Sequence, residues 1–158
     1  MKEKDFFDKD CLFCKFASHK LDTAIVYETK KIIAFIDINP AGKLVGHTLI
    51  MPKKHYPLIE EVGDKTLCEL ILAIKKIVPA IKEVSGSDGT NIVQNNGKAA
   101  GQAINHAHLH IIPRKHGDGI YFDEKRRKLV PMEQLEAAKA IKEELERQKS
   151  SKKTRKIN

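Results

Sequence analysis

Hydrophobic and polar positions along the chain follow two rhythms, which predict five short strands and one long helix. Short runs rich in apolar and β-branched residues, bounded by Gly, Pro, Asn or Asp, are typical of strands. They cover residues 24–28, 31–38, 47–51, 89–95 and 105–112. From Asp64 to about Val84, apolar side chains recur every three or four residues and predict an amphipathic helix.

The order of these elements favours an α+β fold with an antiparallel sheet. The first two strand runs are separated only by Thr29-Lys30 and predict a hairpin. A parallel, doubly wound sheet is the alternative, but it would need more crossover helices than the chain supplies. A second helix is predicted near the C-terminus, from Pro131 to Gln148.

Length and composition are typical of one soluble globular domain. The chain has 158 residues, of which 41% are hydrophobic and 32% are charged. No apolar run approaches the roughly 20 residues that cross a bilayer, and the first residues lack the apolar stretch of a signal peptide. We therefore expect a cytoplasmic protein without a membrane partner.

The net charge of +8 is concentrated at one end of the chain. Residues 148–158 carry five Lys or Arg side chains and no acid, so the rest of the chain is only mildly basic. We expect residues 149–158 to form a disordered basic tail. Such a tail can add weak, salt-sensitive attraction to polyanions, but we do not expect nucleic acid as a partner.

Three histidines alternate with apolar residues in the sequence His-Ala-His-Leu-His at 106–110. On a strand, His106, His108 and His110 would share one face while the apolar residues between them face the core. Unpaired imidazoles are costly to bury. The pattern therefore favours metal ligation, or acid–base and nucleophilic chemistry near neutral pH, over a strip that only faces solvent.

Two other polar groups are candidates for ligand binding. Asn95 and Gln102 lie in a glycine-containing stretch before the histidines, and amide donors with exposed backbone N–H groups suit phosphate oxygens. The alternative is an ordinary turn. Asp37 ends an apolar strand, where it either caps a turn or accepts hydrogen bonds from ligand hydroxyls.

Cysteine spacing points to a possible metal site. Cys11 and Cys14 form a C-x-x-C pair, and with Cys68 the odd count argues against a disulfide framework. Two thiolates with two distant imidazoles, His55 and possibly His106, could complete a tetrahedral zinc site. Two reduced thiols without a metal are the alternative.

Four motifs together resemble the histidine triad (HIT) superfamily. They are Gly-His-Thr-Leu-Ile-Met-Pro-Lys-Lys-His at 46–55, Asn-Asn-Gly at 95–97, Ala-Gly-Gln at 100–102 and His-Ala-His-Leu-His-Ile-Ile-Pro-Arg at 106–114. The resemblance covers residues 10–116, so we assign a HIT domain to 1–116, a helical extension to 117–148 and the tail to 149–158. It implies a five-stranded antiparallel sheet with helices and a homodimer with a continuous ten-stranded sheet.

The resemblance also implies roles for the histidines and polar residues. His108 would be the nucleophile that attacks the α-phosphorus, and His110 would bind phosphate oxygen and help move protons. His47 would lie behind the triad and orient the nucleophilic ring. The remaining nucleotide-binding residues would be Asp37 for both ribose hydroxyls, Asn95 and Gln102 for nonbridging oxygens, and an apolar purine slot of Phe13, Phe16, Leu21, Phe35 and Ile38.

In the zinc-bearing C-x-x-C branch of the superfamily, the metal ligands correspond to Cys11, Cys14, His55 and His106. The resemblance therefore implies one structural zinc per chain, with no open coordination position, and no organic cofactor. Since the thiolate pair and both imidazoles are present, we expect this metal to be bound.

The expected function is that of a phosphoramidase-type nucleotide hydrolase. A covalent nucleotidyl-histidine would release a nucleoside monophosphate from phosphoramidates, adenylated compounds or dinucleoside polyphosphates, with a purine base preferred. A nucleotide-binding protein with little turnover and a nucleotidyl transferase are the alternatives. Ala103 occupies a position where many superfamily members have Ser or Thr, and the lost hydroxyl lowers the expected phosphoramidase efficiency.

Overall fold

A computed structural model describes residues 7–120 together with 132, 135 and 138–141. The chain divides into two compact units, one ending at residue 120 and the other beginning at 121. The first unit extends four residues beyond the predicted domain boundary at 116. In the second unit, the described residues are helical, in agreement with the predicted C-terminal helix. The rest of that helix and the basic tail lie outside the described residues.

The first unit is built on one five-stranded antiparallel sheet with the strand order β1-β2-β3-β5-β4. Its strands are β1 (Ile25–Glu28), β2 (Ile32–Ile36), β3 (Thr48–Pro52), β4 (Gly89–Val93) and β5 (Leu109–Arg114). The predicted α+β class, hairpin and antiparallel sheet are therefore confirmed. Helix α1 (Leu12–Ala17), which the sequence pattern did not predict, precedes the sheet, and α2 (Asp64–Ser85) joins β3 to β4.

The two helices cover opposite faces of the sheet. Helix α2 buries Leu70, Ile74 and Ile77 against strand residues such as Ile32 and Ile50. Neighbouring strand positions point the other way, where they pack with α1. That second cluster comprises Phe13, Phe16, Ile33, Phe35, Leu49 and Met51. The sheet is thus buried on both sides, and α1 forms a small apolar layer of its own.

The histidine strand begins later than predicted. Residues 105–108 are irregular, and β5 starts only at Leu109. The Ala107 N–H donates to the Tyr56 carbonyl oxygen at 2.6 Å, outside the strand ladder. The prediction that all three histidines share one strand face is therefore wrong, because only His110 lies within the strand.

Strand β5 also continues through Pro113, where a stop was predicted. Pro113 pairs with Thr90 of β4. The register of β3 with β5 reaches only Ile111. Pro113 therefore lies where β5 has one strand neighbour, so its missing N–H does not interrupt a second ladder.

Helix α2 begins and ends close to the predicted positions. Asp64 is its first residue, as predicted, and Gly63 is its N-cap residue. Gly86 ends the helix in the left-handed conformation, with φ of 63°. Across the part of the chain that the structure describes, no helix is both long and apolar enough to span a membrane.

Candidate functional site

A cavity of about 290 Å³ opens beside α1 and the first residues of β5. Most of its wall is apolar, and its polar groups are concentrated in Asp37, Asn39, His108 and His110. The predicted slot residues in the wall are Phe13, Phe16, Phe35 and Ile38. A mostly apolar cleft with a few convergent polar groups is typical of a small-molecule site.

The aromatic part of the wall is formed by edge-to-face contacts. The Phe13 ring lies 5.6 Å from that of Phe35 and 5.0 Å from the imidazole of His108, measured between ring centroids. Phe16 lies 5.3 Å from Phe35. Phe13 lies in α1 between Cys11 and Cys14, so the C-x-x-C segment also contributes a side chain to the apolar wall of the cavity.

The hydrogen bond of His108 determines which of its nitrogens is available. Its Nδ1–H donates to the His106 carbonyl oxygen at 2.6 Å. In the neutral ring the proton therefore sits on Nδ1, and Nε2 carries the lone pair. Because His108 lines the cavity, this arrangement can present a nucleophilic nitrogen to a bound ligand.

His47 contacts His110, and it does not form the predicted contact with the His108 ring. The Ala41 N–H donates to His47 Nδ1 at 2.8 Å, so the neutral His47 ring carries its proton on Nε2. That Nε2 lies 3.1 Å from His110 Nδ1 and 3.5 Å from Asp37 Oδ2. When Nε2–H donates to His110 Nδ1, the proton of His110 is on its other nitrogen, Nε2.

Burial keeps these imidazoles neutral. Desolvation is the largest cause that lowers the pKa of His110 to about 4, and the nearby His108 and His47 rings contribute to this shift. The pKa values of His108 and His47 are also lowered, mainly by desolvation. The negative charge of Asp37 offsets part of this shift in both rings. Neutral imidazoles are the nucleophilic and proton-accepting form, so the site is prepared for such chemistry at neutral pH.

Asp37 and Asn39 form the polar rim of the cavity. The Asn39 N–H donates to Asp37 Oδ1 at 2.9 Å, which orients the carboxylate at the end of β2. Asn39 was missed by the sequence analysis, although its position beside Asp37 was a usable signal. The other lining residues that it missed are Leu12, Leu49, Ala103 and Ile104.

Three predicted nucleotide-binding residues lie outside the cavity wall: Leu21, Asn95 and Gln102. Leu21 is 44% exposed. The Gln102 amide is engaged by backbone groups, since Oε1 accepts from the Gly97 N–H and Nε2 donates to the carbonyls of Ile104 in the same loop and of Pro57 in the segment between β3 and α2. Gln102 therefore shapes the loop that carries Ala103.

A second cluster brings together the four residues predicted to bind zinc. One ligand atom each from Cys11, Cys14, His55 and His106 lies within 4.8 Å of the others. Cys14 Sγ is 3.3 Å from His55 Nδ1 and 3.7 Å from His106 Nδ1, and Cys11 Sγ is 3.6 Å from His106 Nδ1. With bonds of about 2.3 Å to sulfur and 2.0–2.1 Å to nitrogen, tetrahedral zinc ligands lie about 3.6 Å apart. The cluster fits that geometry.

The protonation of the cluster also suits a metal. His106 donates its Nε2–H to the Pro52 carbonyl oxygen at 2.8 Å, which leaves the Nδ1 lone pair facing the cysteines. Burial raises the pKa of the Cys14 thiol to about 11. Since thiolates ligate metals, binding would displace the proton from this thiol.

Comparison with known proteins identifies the family. A family model described as the HIT domain matches residues 18–117, more than half of the chain. An uncharacterized HIT-like protein of Methanocaldococcus jannaschii is 50% identical over 109 residues, which are 69% of this chain and 82% of that protein.

Two relatives have names that state an activity. A protein of Arabidopsis thaliana named adenylylsulfatase is 38% identical over 126 residues, which are 80% of this chain and 63% of that protein. A protein of Schizosaccharomyces pombe named adenosine 5'-monophosphoramidase is 36% identical over 104 residues, covering 66% and 74% of the two chains. These relatives support a hydrolase activity in general terms.

Solved structures agree with this assignment. A crystal structure of a Streptococcus mutans protein matches with a TM-score of 0.83 and 33% identity, covering 90% of this chain and 89% of that chain. A zinc-bound histidine triad family protein of Mycobacterium smegmatis matches with a TM-score of 0.65 and 32% identity, covering 75% and 84%. The chain belongs to the histidine triad (HIT) family.

Proposed function

We propose that this protein hydrolyses nucleoside 5'-phosphates that are substituted on the phosphate, and that it releases a nucleoside monophosphate. The observation that carries the proposal is the hydrogen bond from His108 Nδ1–H to the His106 carbonyl, which leaves Nε2 unprotonated beside the cavity. The substrates would be phosphoramidates, adenylated compounds or dinucleoside polyphosphates.

In the first step, His108 Nε2 attacks the α-phosphorus. A phosphorus–nitrogen bond forms, and the bond from phosphorus to the leaving group breaks. The leaving group accepts a hydrogen bond from His110 Nε2–H, since His110 Nδ1 accepts from His47, and it takes its proton from solvent. The products of this step are a nucleotidyl-His108 and the protonated leaving group.

In the second step, water attacks the same phosphorus from the vacated side. This water gives one proton to solvent, and the bond between phosphorus and His108 breaks. The nucleoside monophosphate leaves, and His108 regains its lone pair. Splitting the displacement into two steps in this way replaces one high barrier by two lower ones.

Different residues of the site would bind the base, the ribose and the phosphate of the nucleotide. The purine would lie in the slot of Phe13, Phe16, Phe35 and Ile38, because aromatic edges and faces favour a flat apolar ring. Asp37 would accept hydrogen bonds from the ribose hydroxyls. Asn95 and the loop shaped by Gln102 would hold nonbridging oxygens, where fixed donors stabilise a loose phosphoryl transition state.

We also propose that Cys11, Cys14, His55 and His106 hold one structural zinc. Four protein ligands leave no open coordination position, so this metal would stabilise the fold and stay out of the reaction. Elemental analysis of protein purified without chelator checks this proposal. One zinc per chain is expected, and a content near zero with Cys11 and Cys14 both titratable by a thiol reagent would refute it.

A homodimer with a ten-stranded sheet is part of the same proposal. Strand β4 is an edge of the sheet and exposes 43% of Ile92. On α2, Ile71 and Leu72 are 57% and 59% exposed. An unpaired edge beside exposed apolar side chains favours association with a second copy. Sedimentation analysis tests it, and a monomer at micromolar concentration would contradict it. The cytoplasmic location stays a prediction.

Product analysis tests the reaction. The protein is incubated separately with an adenosine 5'-phosphoramidate and with a dinucleoside polyphosphate, and AMP is measured by chromatography. Rapid acid quenching followed by mass spectrometry of peptides containing His108 then reports the covalent intermediate. We expect AMP from at least one substrate and a nucleotidyl group on His108. Release of AMP without any labelled His108 would overturn the covalent mechanism.

One observation favours the alternative of a binding protein with little turnover. Ala103 lines the cavity with a methyl group where many relatives in the superfamily have a hydroxyl. Tight AMP binding without AMP release from either substrate would establish that alternative. Nucleotidyl transfer would instead yield a new nucleotide product only when inorganic phosphate or a sugar phosphate is added.

A further inference from the structure

A short segment after β5 packs against the loop that joins β2 to β3. This loop carries Gly42, whose φ of +78° is left-handed. A Cβ placed on Gly42 would lie 2.5 Å from Cδ1 of Ile120. The Ile120 side chain therefore rests directly on the backbone of the loop, one residue beyond Ala41.

Arg114, four residues after His110, holds Ile120 in this position. Its Nε and Nη2 donate to the two carboxylate oxygens of Asp118 at 2.7 and 2.8 Å. Nη2 also donates to the Ile120 carbonyl oxygen, and Asp118 Oδ1 accepts from the Ile120 N–H at 3.0 Å. Both peptide groups that flank Ile120 are thus fixed. We call Arg114, Asp118 and Ile120 the Arg114 clamp.

Arg114 is also fixed within the sheet, which distinguishes the clamp from an isolated surface ion pair. Arg114 belongs to β5, and its Nη1 also donates to the side-chain oxygen of Asn91 in β4. The guanidinium is therefore held by residues of two neighbouring strands, β5 and the edge strand β4, before it reaches Asp118. Bidentate guanidinium–carboxylate pairs with such support fix orientation as well as charge.

The other side of Gly42 leads to the proposed catalytic histidines. The N–H of Ala41 donates to His47 Nδ1, and His47 Nε2 lies 3.1 Å from His110 Nδ1. This chain of two hydrogen bonds assigns one proton to each ring. With Nδ1 of His47 accepting, His47 must donate from Nε2, and His110 keeps its proton on Nε2.

We propose that the Arg114 clamp positions the Nε2–H group with which His110 donates a hydrogen bond to the leaving group. By seating Ile120 on Gly42, the clamp holds the Ala41 N–H against His47 and thereby maintains the donor tautomer of His110. This inference rests on the proposed function. The clamp residues are absent from the wall of the cavity, so they are positioning residues.

Loosening the clamp has a definite consequence for the hydrogen bond to the leaving group. If the Ala41 N–H moves away, His47 can carry its proton on Nδ1, and its Nε2 then accepts from His110 Nδ1–H. His110 Nε2 is left without a proton, so the leaving group loses this hydrogen bond in the transition state. Because ground-state binding by the slot and Asp37 is unchanged, the effect falls on kcat and leaves KM nearly constant.

The test combines kinetics with nitrogen NMR of the imidazoles. Ile120→Ala removes the contact with Gly42, Ile120→Val restores most of it, and Val45→Ala is the control. Val45 lies in the same loop and is 66% exposed. For Ile120→Ala we expect a fall in kcat of about tenfold, since one hydrogen bond to the charge that develops on the leaving group is lost, with KM within twofold. The ¹⁵N shifts of His47 and His110 should move towards the opposite tautomer. Ile120→Val and Val45→Ala should resemble the parent protein.

Unchanged ¹⁵N shifts in Ile120→Ala, with kcat within twofold of the parent, would overturn the proposal. Arg114→Lys gives a second reading, since Lys loses the paired bonds to Asp118 and should move the same shifts. If the parent protein hydrolyses no substrate, the proposed function fails, yet the ¹⁵N shifts still decide whether the clamp sets the tautomers. The two failures are therefore distinguishable.

Discussion

Residues 106–110 contribute histidines to two separate clusters, and the hydrogen bonds in each cluster leave a different imidazole nitrogen available. His106 is fully buried, donates from Nε2 to the Pro52 carbonyl and turns Nδ1 to two cysteines. His108, two residues later, donates from Nδ1 to the His106 carbonyl and leaves Nε2 at the cavity. The choice of backbone carbonyl thus determines which nitrogen is available in each ring.

The two clusters differ in the atoms that surround their imidazole rings. In the metal-type cluster, sulfur and nitrogen atoms converge at distances suited to a tetrahedral ion. In the cavity cluster, the rings of His47 and His110 bond each other and Asp37 is nearby. None of the four residues of the first cluster lines the cavity of about 290 Å³, whereas Asp37 and His110 of the second do. Removing residues from each cluster should therefore have different effects.

The largest expected effect is the loss of turnover in His108→Ala. Removing the nucleophile should lower kcat by at least about 10³-fold, whereas AMP affinity should stay within about threefold because the slot and Asp37 remain. Steady-state kinetics and calorimetric titration with AMP measure the two quantities. His116→Ala, an exposed histidine outside both clusters, is the control. Activity within tenfold of the parent would contradict the nucleophilic role.

Cys14→Ser should instead affect stability. Loss of one of four metal ligands should lower the melting temperature by about 6–12 °C, which corresponds to roughly 3 kcal/mol in a domain of this size. The bound zinc should fall in parallel. Cys68→Ser is the matched control, since Cys68 is exposed on α2. A melting temperature equal to that of the parent would show that the cluster carries no structural metal.

Ala103→Ser should produce a smaller gain. A hydroxyl at the cavity wall can donate to a phosphate oxygen in the transition state, which is worth about 1 kcal/mol, or about fivefold in kcat. Kinetics with the adenosine phosphoramidate measure this change, and Ala103→Val controls for added volume without a donor. Equal rates for the Ser and Val variants would rule out a missing hydrogen bond as the cause.

The smallest expected effect is a difference in pH dependence. The pKa of His110 is about 4 in the folded protein against an ordinary value of 6.5, because burial disfavours the charged ring. Between about pH 6.5 and pH 4, the imidazole of His110 is protonated in the unfolded chain and neutral in the folded protein. Stability should therefore fall as the pH falls through that window. In His110→Gln the fall should be shallower. Denaturant titrations at several pH values test this, and parallel curves would contradict it.

Much of the fold was predictable because its signals are local. Alternating apolar residues predicted the strands, and the three-to-four repeat predicted α2 within two residues at each end. Helix α1 was missed since six residues are too few for a clear repeat. The late start of β5 was missed because it depends on Tyr56, which is far from Ala107 in sequence and accepts its N–H.

The candidate site was predictable to a similar extent. Asp37, His108, His110 and most of the predicted apolar slot line one cavity, whereas their roles stay predictions. Gln102 was expected to face the ligand, but its amide satisfies three backbone groups of its own surroundings. Sequence similarity identifies residue types at matching positions. The hydrogen bonds of an amide side chain such as Gln102 depend instead on the carbonyl and N–H groups that folding brings close to it.

The sequence by itself determined the family, the five strands and the long helix α2, because these depend on residue types and short spacings. Only the tertiary structure decided which partners each histidine has. Cys11 meets His106 across 95 positions of the chain, and His47 meets His110 across 63. Each imidazole nitrogen takes its role from the partner that folding brings to it, and those partners are not neighbours in sequence.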